Sequence, residues 1–176
     1  MVDYVVPHDP EWKNAFAIEV LVINNALKGS DIELHHIGST SIEGILAKPI
    51  IDLLGVVPDL TALDARDDAF RGIGYEVMGE YGICGRRYFR KVNGSGVRTH
   101  HLHVYEMSSA HVERHLAFRD YLIAHPSKAA AYSDLKAKLT SAKNVTWDAY
   151  LDGKEPFILA TEQEALDWYQ SSPISR

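Results

Sequence analysis

The spacing of apolar positions divides the chain into segments of recognisable period. Trp12, Phe16, Val20, Ile23 and Leu27 recur at helical spacing, which predicts an amphipathic helix opened by Asp9-Pro10 and ended near Gly29. Residues 1–9 read as an extended arm, with Val5 and Val6 available to pack. The apolar run 32–37 predicts a strand that breaks at Gly38-Ser39-Thr40, passes through a short helical turn over 41–47 and stops at Pro49. A second run, 50–57, predicts a strand holding one charged residue, Asp52. Pro58-Asp59 then opens a helix over 60–70, which Gly72 and Gly74 end. Three further strands are expected at 75–78, 86–92 and 98–105, with Asn93-Gly94 as a hairpin signal between the last two. The remainder is helical: one helix from a Ser108 or Ser109 cap to Ala124, one from Pro126 to about residue 142, and a broken helix over 147–169. The closing SSPISR is expected to be disordered. These elements describe one α/β (α+β) domain over residues 1–176, a sheet flanked by helices with a helical C-terminal cover.

Composition narrows the function classes. With 176 residues, 46% of them hydrophobic, the chain can bury a single core. A net charge of −6 argues against a duplex nucleic-acid binder, which needs a basic face, but leaves room for a local basic pocket holding a small phosphorylated ligand. Cys84 is the sole cysteine, which excludes an internal disulfide and fits a reducing compartment. No secretory leader and no membrane-spanning run are visible, so a cytoplasmic location is expected.

The candidate chemistry begins where the first strand breaks. A strand, a Gly38-Ser39-Thr40 corner and a helix start can present backbone N–H groups to a phosphate. Asp52, inside an apolar strand, needs a metal ion, a cation or hydrogen-bond donors beside it. It either holds a metal or acts as a base, or it is a buried aspartate that caps a helix or pairs with Lys48. Lys48 stands at the mouth of the same strand, where it either neutralises a bound phosphate or sits exposed in a loop. In Arg98-Thr99-His100-His101-Leu102-His103, alternation puts His101 and His103 on one face, a ligand spacing that with Asp52 makes a two-histidine, one-carboxylate set. Partly exposed edge-strand histidines are the alternative. Arg87 and Arg98 can line the anion pocket, although a charged run is ordinarily a solvated face. His111 and His115, four apart on a helix, read as surface residues, and Arg119–Asp120 as a structural pair. Ser39 lacks a nucleophile-elbow context and Cys84 an activating partner, so nucleophilic catalysis is not supported.

The string HIGSTSIEGILAKPIIDLLGVV resembles the first block of the GrpB family, and RTHHLHVYE and LAFRDYLIAHPSKAAAYSDLKAKL resemble its second and third. The resemblance runs from about Tyr4 to Tyr169. It implies a nucleotidyltransferase-like mixed sheet, and some relatives are fused to dephospho-coenzyme A kinase. It further implies that Gly38 and Ser39 match the phosphate-holding glycine-serine, that Asp52 matches the first metal carboxylate, and that the second would fall at Leu54 and is missing. His101 and His103 would take the place of the third carboxylate. The expected activity is nucleotidyl or phosphoryl transfer to a small acceptor with Mg²⁺ or Mn²⁺. A non-catalytic nucleotide or coenzyme-A-precursor binding module and a metal-dependent hydrolase are the alternatives.

Overall fold

A computed structural model describes residues 5–141 and 145–171. Helix α1 (Glu11–Ala26) leads into β1 (Glu33–Ile37), a 3-10 turn (Ser39–Ser41) and β2 (Ile51–Val57). Two short helices, α2 (Leu60–Asp64) and α3 (Asp67–Gly72), precede β3 (Tyr75–Val77), β4 (Arg86–Val92) and β5 (Arg98–Glu106). The chain finishes with α4 (Ala110–Ala124), α5 (Pro126–Ser141) and α6 (Trp147–Ser171). The strands form one mixed sheet in the order β1-β2-β5-β4-β3; only the β2–β5 pair is parallel.

Register sorts the side chains onto two faces. One face carries Ile51, Leu53, Phe89, Leu102 and Val104 against Trp12 and Ile23 of α1 and Phe70 of α3, the main core. The other carries Ile37, Leu54, Val56 and Tyr105, packed under Val112 and Leu116 of α4. Strand β2 is sequestered on both faces, which is why its sequence is a nearly unbroken apolar run. Gly55 is part of that packing: a Cβ there would lie 3.0 Å from Val104 Cγ2 and 3.2 Å from Ile32 Cδ1. Under α1, the buried Glu19 takes both hydrogen bonds from Lys91 Nζ (2.9 and 3.0 Å), tying the helix to β4.

Several expectations are met locally. Asp9 Oδ1 accepts from Glu11 N (2.9 Å) at the start of α1, and Ser109 caps α4 through His111 N. Val6 and Ala47 exchange backbone hydrogen bonds, fixing the N-terminal arm. Others differ. The helix expected over 60–70 is two helices, because the chain turns at Ala65-Arg66 and Arg66 reaches back to the carbonyls of Ala26 and Lys28 at the end of α1. The helical turn expected over 41–47 contracts to the single 3-10 turn. The broken helix expected over 147–169 is one continuous helix that carries Pro156 in its interior. Packing of α6 on α4, through buried Thr161 and Ala165 and the Arg114–Glu162 pair, outweighs the lost hydrogen bond. The SSPISR tail, beyond Ser171, and residue 142 lie outside the described residues.

Overfilling the β2–β5 seam tests this packing. Gly55→Val is expected to lower unfolding free energy by about 1–3 kcal/mol despite valine's higher strand propensity, read as a lower denaturation midpoint at unchanged slope.

Candidate functional site

Strand β1 ends at Ile37, opposite Asp52 of β2, and the chain must leave the sheet at once. Gly38 makes that turn with φ 71°, and its main chain lies so close to Asp52 that an added Cβ would sit 2.6 Å from Oδ2. Ser41 fastens the turn by donating to Gly38 O (2.6 Å), and buried Thr40 hydrogen-bonds His36 Nε2 (2.9 Å). The glycine-serine corner thus delivers a close backbone–carboxylate approach. The helix start expected to hold a phosphate is only a 3-10 turn of three residues.

Strand β5 brings the histidines. His101 stands in register with Asp52, and its Nδ1 lies 3.2 Å from Asp52 Oδ1; His103 Nε2 lies 4.0 Å from the same oxygen. One ligand atom from each of the three falls within 4.8 Å of the others, so the expected two-histidine, one-carboxylate set is assembled. Burial pushes the His103 imidazolium down to about 4, against the pull of Asp52, so the ring is neutral near pH 7. Behind it the buried Arg86 places Nη1 3.5 Å from His103 Nδ1 and is itself held by the carbonyls of Glu80 and Tyr81. A guanidinium only donates, so neutral His103 carries its proton on Nε2, toward Asp52. His111 and His115 were expected at the surface. Instead, the His115 ring packs 5.8 Å from His103 and 5.9 Å from Tyr105, and burial pushes its imidazolium down to about 2. His111 stacks on Tyr105.

The C-terminal helices supply the opposite wall. With the corner, Lys48 and Asp52 they enclose a cleft of about 250 Å³. Lys136 of α5 is buried there, donating to Ser39 Oγ (2.9 Å) and to Leu46 O and lying over the Tyr132 ring (4.3 Å). Lys154 of α6 lies over Tyr150 (4.3 Å), and Lys48 over Trp147 (4.0 Å). Burial pushes the Lys136 ammonium down to about 7, and burial also lowers Lys48 and Lys154 against the opposing effect of Asp52. Among the described residues none of these lysines forms an ion pair. Tyr132, Lys136, Trp147, Tyr150 and Lys154 were not singled out from the sequence. A signal was present: Tyr132-Ser-Asp-Leu-Lys136 and Tyr150-Leu-Asp-Gly-Lys154 share a Tyr-x-Asp-x-Lys spacing, which stacks each lysine on its tyrosine one helical turn away.

Of the candidate arginines, Arg87 is misplaced. It pairs with Val104 on the main-core face and binds Asp64 of α2 through two hydrogen bonds (2.6 and 2.8 Å), away from the cleft. Arg98 is exposed at the start of β5, outside the cleft lining, and its charge acts on Lys48 of the cleft and on Tyr88 beside His101 and His103. Leu54, where the second carboxylate would fall, is fully buried beneath α4. No described helix is long and apolar enough to cross a membrane.

Comparison with known proteins places the chain in a family. Residues 4–164 match the family model described as GrpB protein. The UPF0157 protein YqkA of Bacillus subtilis is 40% identical over 164 residues, which are 93% of this chain; the match spans 47% of that relative's length. The crystal structure of the conserved protein GrpB from Enterococcus faecalis is 40% identical and superposes with a TM-score of 0.88, covering 95% of this chain and 99% of that one. The Cid1 poly(U) polymerase with MgGTP bound superposes at 0.53, over 77% of this chain and 45% of that one, at 14% identity. That last likeness is one of fold, and it makes the architecture nucleotidyltransferase-like. The chain belongs to the GrpB family.

Proposed function

We propose that this protein binds a nucleoside triphosphate, or a related phosphorylated ligand, in the cleft between sheet and C-terminal helices, and transfers its nucleotidyl group to a small acceptor. The observation that carries this reading is the convergence of Lys48, Lys136 and Lys154 on one carboxylate, Asp52, in a protein of net charge −6. Such a local excess of positive charge, buried at Lys136 and half-buried at Lys48 and Lys154, is what a polyphosphate neutralises. The lysines hold the phosphates, with Ser39 set between them by Lys136. The Trp147 and Tyr150 side chains offer walls for a planar base.

Asp52 and His101 fit a divalent ion, their ligand atoms converging beside the Gly38 corner. His103 joins only if its proton moves to Nδ1, against Arg86. A set with imidazole ligands suits Mn²⁺ better than Mg²⁺. When bound, the ion neutralises charge developing on the phosphoryl oxygens. In the transfer an acceptor oxygen bonds to the α-phosphorus as the bond to the bridging oxygen breaks. That electron pair leaves with pyrophosphate, and the acceptor proton passes to the Asp52 carboxylate. Buried Leu54 argues for one ion rather than two. The same leucine favours a second reading, a binding module that retains the ligand without turnover.

A thermal-shift screen of the four ribonucleoside triphosphates, with Mn²⁺, Mg²⁺ or chelator, tests binding. A true ligand at a hundred times its dissociation constant stabilises by about 2.7 kcal/mol. Part of that shift is expected to require Mn²⁺ and to vanish in Asp52→Asn and Gly38→Ala; silence from every triphosphate sinks the reading, and binding without pyrophosphate release selects the second one. Lys136→Met separates stability from function. The unfolded lysine binds its proton up to about pH 10.5, the folded one only to about 7, so the wild-type penalty is complete below pH 7 and fades as pH rises. The variant is therefore expected to be more stable by about 1–2 kcal/mol at pH 6, with the advantage shrinking toward pH 10 and the triphosphate bound about tenfold more weakly.

A further inference from the structure

On the β4 side of the cleft a line of rings runs from the metal-binding candidates to solvent. The Tyr88 ring packs 5.7 Å from His101 and 5.2 Å from His103, and Tyr81 stacks on Tyr88 at 5.3 Å with 27° between planes. Exposure climbs along the line: Tyr88 is buried at 6%, whereas Tyr81 is 58% exposed.

The position of Tyr81 is enforced. It has φ 45°, the one positive φ at a non-glycine among the described residues, a conformation that is unfavourable for a bulky side chain. Buried Arg86 pins it there: Nη2 donates to Tyr81 O (2.7 Å) and Nε to Glu80 O (3.2 Å), while the guanidinium lies 5.0 Å over the Tyr88 ring. Covering Tyr88 could be done by a relaxed loop. Holding a strained aromatic residue with most of its surface in water is what a stacking platform requires. Arg98, exposed at the start of β5 and with no ion pair among the described residues, lies near enough to both Tyr88 and Lys48 for its charge to act on each.

We propose that the exposed face of Tyr81 seats the acceptor, a small molecule carrying a planar aromatic ring that stacks on Tyr81 and a negatively charged group that Arg98 holds. As an acceptor site this rests on the transferase reading; as a binding site it stands on its own geometry. A ring on Tyr81 would be separated from Asp52 by Tyr88 and the histidines. The reacting hydroxyl must therefore project from the ring toward the cleft, on the side where the anion meets Arg98.

Titration of the full chain with phenyl phosphate and with methyl phosphate tests this, followed by NMR of ring-¹³C tyrosine. Each titration is run with and without the β,γ-imido analogues of the four ribonucleoside triphosphates and Mn²⁺ to fill the cleft. Phenyl phosphate is expected to shift the Tyr81 and Tyr88 signals saturably in both conditions and to bind about tenfold more tightly than methyl phosphate. Tyr81→Phe should keep that affinity. Tyr81→Gly, which relieves the backbone strain and so preserves folding, should lose the preference for the ring, and Arg98→Gln should weaken both phosphates about fivefold. Equal binding of the two phosphates, an unchanged preference in Tyr81→Gly, or unmoved tyrosine signals would each overturn the platform. If every nucleotide analogue fails to bind while the Tyr81 response persists, the transferase reading falls and the platform stands.

Discussion

The parallel pairing of β2 with β5 is the constraint on which the rest of the molecule depends. Every other neighbouring pair in the sheet is antiparallel and can be joined by a short turn. This one requires the chain to leave β2, build α2, α3, β3 and β4, and return beside its starting point. In exchange, Asp52 and His101, far apart in sequence, meet in register at the centre of the sheet. Because side chains alternate, a slip of one residue would turn Asp52 or the histidines into the main core. The buried contacts of Gly55 with Val104 and Ile32 therefore guard the site as well as the core.

Around that seam the molecule separates two kinds of buried polarity. Under α1, Glu19 and Lys91 neutralise one another in an ion pair that belongs to the architecture. On the opposite face the cationic side chains greatly outnumber the acidic ones: Asp52 faces Lys48, Lys136 and Lys154, and the nearby imidazoles of His103 and His115 are kept neutral by burial. This second kind of buried polarity is the one on which the proposed ligand reading rests.

Much of this was legible in the chain. Alternation placed His101 and His103 on one face, and the apolar run around Asp52 announced a buried strand. The resemblance to the GrpB family joined those strings into one site. What could not be read depended on partners remote in sequence. The fate of Arg87 turned on whether Tyr88 or Phe89 faces the histidines, which only the β4–β5 register decides. The continuous α6 and the divided α2–α3 follow from tertiary contacts that overrode Pro156 in one case and helical periodicity in the other. His115 looked like a surface residue because its cover, Tyr105 and His103, comes from the preceding strand. The Tyr-x-Asp-x-Lys spacing in two successive helices was visible but silent until those helices were seen to face Asp52.

That spacing has a consequence for how the protein responds to whatever fills it. The sheet contributes Asp52 and Lys48, while Lys136 and Lys154 arrive on helices that dock as a separate layer, held to α4 and to each other by Arg114–Glu162, Lys128–Glu164 and the close approach of Gly153 to Leu139. The like charges of the three lysines oppose that docking; on the reading proposed above, a polyanion would turn them into the cement between layers. Occupancy and helix docking are then reciprocal quantities. On that reading, sequence changes at the α4–α6 seam, outside the cleft, would alter affinity through the docking of α6.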